Sequence, residues 1–283
     1  MAGAVEQVGS AISVTDAPQS SFDVLRWRDG EQVLVQDQLA EETPVALIYN
    51  GISHAVMLAT AQNLEDFALG FSLSEGIIQD KSELYGVELR VQSKGIELHC
   101  DIASERLMQL KGRRRTLAGK TGCGLCGAES LEQAMRYPSY LRSPVVFKRG
   151  AMISGLATMP TQQLLQQKTG ATHACAWVLA DGTVALLRED VGRHNALDKL
   201  IGAIAKSDIS QAGFIITSSR ASYEMVQKTA TAGINLLVAI SAPTGLAVRV
   251  AEHCGLTLVG FARKDSYVVY SHAQQLDSST EED

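Results

Sequence analysis

The second half of the chain alternates short apolar runs with longer amphipathic segments, and this alternation constrains the fold more than any other feature. In the first amphipathic segment Leu197, Leu200, Ile201 and Ile204 recur at helical spacing. Strands that alternate with helices of this length predict an α/β domain in which helices pack on a sheet. The predicted strands are Ala174–Leu179, Thr183–Leu187, Gly213–Thr217, Leu236–Ile240 and Leu256–Phe261, and the predicted helices are His194–Lys206, Ala221–Ala232 and Gly245–Cys254.

The first half of the chain shows the pattern of β-hairpins instead. Apolar runs at 45–49 and 55–58 flank Asn50-Gly51, a dipeptide that is typical of tight hairpin turns. Residues 86–91 and 95–100 predict a second hairpin of the same kind. We therefore expect a smaller, mixed α+β part with antiparallel strands to precede the α/β domain.

Helices are also predicted around these hairpins. Asn63 is expected to begin a helix, with Asp66 as its capping-box partner. The buried stripe of this helix is predicted to consist of Leu64, Phe67, Ala68 and Phe71. Shorter helices are expected at Ser104–Leu110, at Leu131–Arg136 and, with Leu164 and Leu165 inside, at Met159–Gln167.

The pattern divides the chain into four segments. Residues 1–20 lack periodicity and predict a disordered tail. Residues 21–130 form the mixed N-terminal part, which ends in a Cys-x-x-Cys loop, and residues 131–272 form the α/β domain. Residues 273–283 predict an acidic tail.

Charge and cysteine content narrow the classes of function. A net charge of −6 and a pI near 5.6 argue against nucleic-acid or membrane-surface binding, because both need an excess of cations. No apolar run approaches the ~20 residues of a membrane span, and no secretory signal is visible. Five cysteines, an odd number, in a chain of this size predict reduced thiols and a cytoplasmic protein.

Polar residues follow two of the predicted strands where a sheet collects its ligands. Arg188–Asn195 comes after one strand and Ser218–Ser222 after another, and each leads into a helix. Hydroxyls, arginines and free N–H groups at a helix start suit an anion. Ser and Asp at such positions also serve as ordinary helix caps. Arg193, His194, Asp198 and Arg220 therefore indicate either an anion pocket or a structural ion-pair set.

Cys123 and Cys126 form a Cys-x-x-Cys motif surrounded by glycines, with Arg113–Arg115 and Lys120 just upstream. Glycines predict a mobile loop, and nearby cations favour the reactive thiolate. Three interpretations remain open: structural zinc, which lacks a visible second ligand pair; a redox dithiol, which prefers a strand-to-helix junction; and a sulfur-carrying arm. Cys100, Cys175 and Cys254 are expected to pack as small apolar residues.

Several motifs in order along residues 22–272 resemble the FdhD family, the formate dehydrogenase accessory sulfurtransferases. The most specific are the glycine-flanked cysteines and the run that begins at Glu189. The matching stretches are Asn63–Ile77, Cys123–Gly127, Gly170–Ala174, Glu189–Lys199, Arg220–Val226, Ser241–Thr244 and Leu258–Arg263.

The resemblance implies a sulfur carrier in molybdenum cofactor maturation. A cysteine desulfurase would pass sulfur to the Cys-x-x-Cys loop as a persulfide, and the protein would deliver it to molybdenum bis(molybdopterin guanine dinucleotide) for formate dehydrogenase. The resemblance also implies a cytidine deaminase-like α/β domain and a homodimer. The deaminase zinc signature is missing from the sequence, so deaminase chemistry is not implied. No structural metal is expected either, because no second ligand pair accompanies the two cysteines.

The family's functional residues fall on two stretches of this chain. By resemblance, Cys123 bears the persulfide and Cys126 is an assisting or second acceptor thiol. The cofactor-binding stretch falls on Phe261, Ala262, Arg263, Lys264, Asp265 and Ser266. An aromatic ring at 261 suits guanine stacking, and Arg263 suits a phosphate. Two other functions remain possible on the residues alone: a cofactor-binding chaperone without sulfur chemistry, and a zinc-stabilised interaction module.

Overall fold

The computed structural model describes residues 15–117, 137–141, 146–209 and 212–277 of the 283-residue chain. The strands are β1 (Gln19–Arg28), β2 (Glu31–Ala40), β3 (Thr43–Tyr49), β4 (Ile52–Ala59), β5 (Leu84–Gln92), β6 (Gly95–Ile102), β7 (Phe147–Lys148), β8 (His173–Leu179), β9 (Val184–Asp190), β10 (Gly213–Thr217), β11 (Leu236–Ala239), β12 (Thr257–Gly260), β13 (Val268–Ser271) and β14 (Leu276–Asp277). The α-helices are α1 (Leu64–Ser74), α2 (Ser104–Leu117), α3 (Arg149–Gln162), α4 (Leu164–Thr169), α5 (Arg193–Lys206), α6 (Tyr223–Thr231) and α7 (Gly245–Cys254).

A four-stranded sheet in the order β4-β3-β6-β5 forms the N-terminal part. Both predicted hairpins are confirmed, since β3 pairs antiparallel with β4 and β5 with β6. Asn50 and Gly51 connect the first pair with φ angles of 45° and 80°, the left-handed values that a tight hairpin turn requires. The buried alternation of Val45, Leu47 and Tyr49 along β3 turns one face of this sheet toward α1.

Helix α1 begins where the sequence predicts, but its start is built differently. Asn63 has a φ of 53° and its side chain makes no capping hydrogen bond, so the predicted capping box is wrong. The carboxylate of Asp66 instead accepts hydrogen bonds from two cations, Arg188 Nε and Lys206 Nζ, each at 2.8 Å. The predicted apolar stripe of this helix is confirmed as buried.

The second sheet has six strands in the order β13-β12-β11-β10-β8-β9. Strands β10, β11 and β12 are parallel, and β9 runs in the same direction because both β9 and β10 are antiparallel to β8. Helices α5, α6 and α7 cover one face and α3 covers the other. The predicted mixed α/β architecture is confirmed; its likeness to cytidine deaminases stays a prediction.

One predicted helix, Met159–Gln167, is wrong. The chain there contains the end of α3 and the start of α4, separated at Gln163. Glu189 enforces the break, because its carboxylate accepts hydrogen bonds from the backbone N–H groups of Leu165 and Gln166 and so caps a new helix. As a result Leu165 is buried, whereas Leu164 remains 64% exposed.

The chain ends also differ from the predicted tails. Residues 19 and 20, placed in the N-terminal tail, begin β1, a strand that the sequence analysis did not predict. Residues 273–277, placed in the acidic tail, form a 3₁₀ turn and β14, which pairs with β7 and buries Leu276. Residues 1–14 and 278–283, the predicted helix at 131–136 and the predicted boundary at 130 lie outside the described residues.

The two parts join through a close crossing of α1 and α5. A Cβ atom added at Gly70 would lie 1.7 Å from the backbone oxygen of Asp198, and one at Gly202 would lie 2.0 Å from that of Asp66. Backbone therefore packs on backbone at this crossing, and only glycine permits the approach. The N-terminal sheet is thereby fixed against the helical face of the six-stranded sheet.

Candidate functional site

Loops from four parallel strands converge at one edge of the six-stranded sheet. They follow β9, β10, β11 and β12, and β8 begins at the same edge with His173. Backbone bonds connect neighbouring loops: Ala221 N donates to Ala242 O at 3.2 Å, and Phe261 N donates to Ser241 O at 3.2 Å. The prediction that the polar stretches after two strands meet at this edge is confirmed, since His194 Nε2 lies 3.2 Å from Ser222 Oγ.

Four side chains with cationic character, His173, Arg193, His194 and Arg220, gather at this edge, which we call the cationic edge. Burial lowers the pKa of His173, and the charges of the other three lower it further. Within the described part of the chain, Nε of Arg193 is buried without a hydrogen-bond partner. An anion at this position would accept a hydrogen bond from the orphaned donor and reduce the repulsion among the cations.

One carboxylate faces the cationic edge. Glu224 Oε2 lies 3.0 Å from His194 Nε2, and this hydrogen bond is the main cause that lowers the pKa of Glu224. The other predicted member of the set, Asp198, points elsewhere. It is buried beside Ser74 and Lys228, with Lys228 Nζ 3.0 Å from its carboxylate. Of the four residues that the sequence indicated as either an anion pocket or an ion-pair set, three therefore lie at the cationic edge. The fourth, Asp198, belongs to a structural ion pair.

A fully buried network, which the sequence analysis missed, holds the loop that carries Arg193. Lys199 Nζ lies 2.6 Å from Asp190 Oδ2, and both side chains are 0% exposed. The other oxygen of Asp190 accepts hydrogen bonds from Gly192 N and Asn195 Nδ2. Thr60 joins the network through its own N–H, which donates to Asp190 Oδ2 at 3.0 Å. The N-terminal part thus helps to fix the loop that carries Arg193 at the cationic edge.

The stretch Phe261–Ser266 lies at the same edge, directly after β12. Phe261 is 49% exposed and adopts a φ of 50°, a left-handed value that is uncommon for an aromatic residue. Ala262 is buried in the core below it, and this anchors the turn. The guanidinium of Arg263 donates to the backbone oxygen of Ile240 at 2.6 Å.

The same stretch turns tightly beyond Arg263. Arg263 N donates to Ser266 O at 2.7 Å, and Lys264, Asp265 and Ser266 are exposed. An exposed ring, a cation and a polar turn therefore border the cationic edge, a combination that suits a ligand with an aromatic base and phosphates.

Cys123 and Cys126 lie outside the described residues, as do Lys120 and the side chains of Arg113, Arg114 and Arg115. The three cysteines that the structure describes are buried, which confirms that they pack as apolar residues. Burial raises the pKa of Cys100 and of Cys175 to about 12, so both thiols are protonated and unreactive at neutral pH.

Neither a metal cluster nor a membrane span occurs in the described ranges. No three His, Cys, Asp or Glu side chains among these residues are close enough to hold a metal ion. The helices seen in this portion of the chain are too short or too polar to cross a bilayer.

Comparison with known proteins gives concordant matches. The model of the FdhD/NarQ family matches residues 40–277. The "Sulfur carrier protein FdhD" of Cupriavidus necator is 59% identical over 259 residues, which are 91% of this chain and 90% of that protein. The protein of the same name from Variovorax paradoxus is 53% identical over 244 residues, 86% of this chain and 87% of that one.

A solved structure shares the fold. It is that of a putative formate dehydrogenase accessory protein from Desulfotalea psychrophila, with a TM-score of 0.70 and 23% identity, and the match covers 91% of this chain and 99% of that one.

Proposed function

This chain belongs to the FdhD/NarQ family, and from this premise we propose that it is a sulfur carrier in the maturation of formate dehydrogenase. In the proposed cycle, Cys123 accepts a sulfur atom from a cysteine desulfurase. The protein then delivers that sulfur to molybdenum bis(molybdopterin guanine dinucleotide), which it binds as a substrate. The activity would be that of a sulfurtransferase, and the protein would work in the cytoplasm.

The observation that carries the proposed substrate is the convergence of Phe261 and Arg263 with the cationic edge. A guanine dinucleotide has a flat base and several phosphate charges. The exposed ring of Phe261 suits the base, because aromatic faces stack on flat rings. Arg193 and Arg220 suit the phosphates, because one guanidinium group can donate two parallel hydrogen bonds to the oxygens of a phosphate. The net charge of the chain is −6, so an extended polyanion would be repelled by most of its surface, whereas a small anion could bind at the one edge that gathers cations.

The proposed sulfur step is a transpersulfidation. The thiolate of Cys123 attacks the outer sulfur of the desulfurase persulfide, the sulfur–sulfur bond of the desulfurase breaks, and its cysteine leaves as a thiolate. Cys123 then holds the transferred sulfur as a persulfide, and Cys126 assists or accepts it next. The cations at Arg113–Arg115 and Lys120 favour the attacking thiolate. Desulfurase and formate dehydrogenase are the proposed partners.

Mass spectrometry tests the sulfur step. The protein is incubated with a cysteine desulfurase and cysteine, alkylated, and digested. We expect one additional sulfur atom on the peptide that contains Cys123 and Cys126, and none in the Cys123→Ala variant. Full formate dehydrogenase activity in cells with only Cys123→Ala would refute the carrier role. A variant with serine at both 123 and 126 gives the alternative outcome. If it still binds guanine nucleotides and supports full formate dehydrogenase activity, the protein is a chaperone without sulfur chemistry.

Calorimetry with guanosine diphosphate tests the proposed binding edge separately. Arg220→Gln removes one cation of the edge and should weaken binding by about tenfold, the scale of one charge-assisted hydrogen bond. Arg28→Gln is the matched control, because Arg28 is also an exposed arginine and lies in β1, outside this edge. Equal affinities of both variants and the wild type would refute the assignment. If the purified protein contains one zinc ion per chain and unfolds when a chelator removes it, the zinc-stabilised interaction module is supported instead.

A further inference from the structure

Helix α2 ends at Leu117, seven residues beyond the predicted end at Leu110. Its first half is fixed to the N-terminal part, because Leu110 is 4% exposed and Arg106 Nε lies 2.9 Å from Glu83 Oε1. The seven added residues lengthen the helix by about 10 Å, at 1.5 Å per residue. The basic stretch Lys111–Arg115 therefore belongs to a helix that is anchored at its start, and not to the glycine-rich segment that carries the two cysteines.

One face of α2 combines an exposed apolar side chain with cations. Met108 is 73% exposed, and Lys111, three residues further along the helix, is exposed as well. Position 115 follows seven residues after Met108, so helical spacing places Arg115 on the same face. Leu107 and Leu110 lie on the other side of the helix and pack into the core of the N-terminal part. We call the surface formed by positions 108, 111 and 115 the basic helix face.

The composition of this end of α2 indicates what kind of partner fits it. Residues 111–117 include four cations and no acidic residue, in a chain whose net charge is −6. Arginine and methionine are enriched at protein interfaces, and a flexible methionine adapts to the apolar surface that it meets. The basic helix face therefore fits a protein that offers an acidic rim around a small apolar contact. Nucleic acid is disfavoured, because the acidic remainder of the chain would repel an extended polyanion.

The position of α2 relative to Cys123 indicates when this partner binds. Only six residues lead from Leu117 to Cys123, and six residues span at most about 20 Å. An ordinary protein interface covers about 800 Å² on each partner and is thus roughly 30 Å across. A protein that reacts with Cys123 therefore comes within reach of α2 as well. Because the basic helix face is part of an anchored helix, it does not travel with the thiols, which favours a role when sulfur is received.

We propose that the basic helix face is the docking site for the sulfur donor, which binds it through an acidic surface beside its persulfide-bearing cysteine. The inference rests on the proposed carrier function and adds the surface that the cysteine desulfurase recognises. Docking holds the donor persulfide near Cys123 and so raises the rate of transfer at low donor concentration. The transfer step itself is unchanged.

Biolayer interferometry with an immobilised cysteine desulfurase measures docking without any sulfur transfer. Lys111→Gln combined with Arg115→Gln removes two cations and preserves helix propensity, because lysine, arginine and glutamine favour helices about equally. We expect the Kd to rise about tenfold at low salt, and the difference to shrink as salt screens the charges. Lys81→Gln combined with Lys94→Gln is the matched control. Both are exposed lysines of the N-terminal part outside α2, and their loss should leave the Kd unchanged.

Met108→Gln tests the apolar contact without a change of charge. Burial of a methionine side chain in an interface stabilises a complex by roughly tenfold in affinity, so the Kd should rise by about that factor at any salt concentration. Leu58→Gln is its control, because Leu58 is 55% exposed and lies on β4. A Kd equal to that of the wild type, either for Met108→Gln or for the double variant at 111 and 115, would overturn the proposal. Circular dichroism establishes first that each variant is folded.

The kinetics of persulfide loading separate docking from an effect on the thiol. The wild type and the double variant at 111 and 115 are loaded either by the desulfurase with cysteine or by glutathione persulfide, which needs no docking surface. We expect the double variant to have a higher KM as acceptor for the desulfurase, with a similar kcat, and to load from glutathione persulfide at the wild-type rate. Equal slowing with both donors would show that the cations act on the thiolate of Cys123 alone, and would contradict docking.

The two measurements also distinguish this inference from the proposed function. If the wild type binds the desulfurase but accepts sulfur from neither donor, the carrier function is wrong and the docking surface stands. If the wild type accepts sulfur but does not bind the desulfurase, the carrier function stands and the docking surface is wrong.

Discussion

Substitution of Gly70 by alanine is expected to destabilise the protein strongly, against the usual effect of this change in a helix. In an exposed helix Gly→Ala stabilises by about 1 kcal/mol. At Gly70 the added methyl group would lie 1.7 Å from the backbone oxygen of Asp198, and contact requires about twice that separation. The obstacle is backbone, so no side-chain rotation relieves it. Helices α1 and α5 must move apart by more than an ångström.

The magnitude follows from the contacts that such a movement breaks. Overpacking in a core costs typically about 1–3 kcal/mol, and separation of a whole helix pair belongs at or above the upper end. After the propensity gain of about 1 kcal/mol, we expect a net loss of at least about 2 kcal/mol. With an entropy of unfolding of about 2.1 cal/mol/K per residue, that loss corresponds for this 283-residue chain to a fall in Tm of at least about 3 °C.

Two other helical glycines make this a graded experiment. A methyl group at Gly155 would lie 2.9 Å from side-chain atoms of Ile216 and Val178, which can partly adjust, so the loss should be smaller. Gly150 has nothing within 4 Å and is exposed, so Gly150→Ala should be neutral or slightly stabilising. Tm is measured by circular dichroism for all three variants. A Gly70→Ala variant as stable as Gly150→Ala would refute the backbone-to-backbone crossing.

Three further predictions concern buried and titrating groups. In an NMR titration His173 should have a pKa below the ordinary histidine value of about 6.5, because burial and the cationic edge disfavour its protonated form. The free energy of unfolding should therefore fall as the pH drops through that ordinary value, since the unfolded chain then binds the proton more readily. A pKa of His173 at or above the ordinary value would contradict the geometry. Asp190→Asn should lower the free energy of unfolding by about 3–5 kcal/mol in urea, because it leaves Lys199 charged and unpaired in the core; a loss below about 1 kcal/mol would show that the pair is solvated. Cys100 and Cys175 should resist iodoacetamide in the native protein and react after denaturation, as counted by mass spectrometry, because burial raises the pKa of each to about 12; rapid native labelling would show that the thiols are accessible.

Local patterns in the sequence predicted most of the regular elements. Strand β10 and helix α7 have the predicted bounds, since Gly213 and Gly255 mark an edge of each in the sequence itself. Where the prediction failed, a residue distant in sequence decides the structure. The carboxylate of Glu189 divides the predicted helix at Gln163, and Arg188 and Lys206 take Asp66 from its predicted capping role. Tertiary contacts of this kind leave no periodic signal.

The candidate site was predictable to a similar degree. The strand order places the loops after β9 and β10 at one edge, and the positions of His194 and Ser222 follow from that order. The buried support was not predictable, because Thr60 and Asp190 are 130 residues apart and nothing in either local sequence indicates the pairing. Lys199 is fully buried, and a fully buried lysine requires a partner, but its burial is visible only in the structure.

Two adjacent residues of α5 explain why the N-terminal part and the cationic edge behave as one unit. Asp198 pairs with Lys228 of α6, and Ser74 Oγ at the end of α1 donates to it at 2.6 Å. The next residue, Lys199, pairs with Asp190 and donates to Thr60 O at 2.8 Å at the end of β4. Each pair therefore bonds a different part of the N-terminal sheet and helix to α5. Because a buried charge without its partner is strongly destabilising, neither contact can open alone at low free energy. The N-terminal part, from which the chain continues toward Cys123, is thus held in fixed register with the edge at which Arg193 and Phe261 lie.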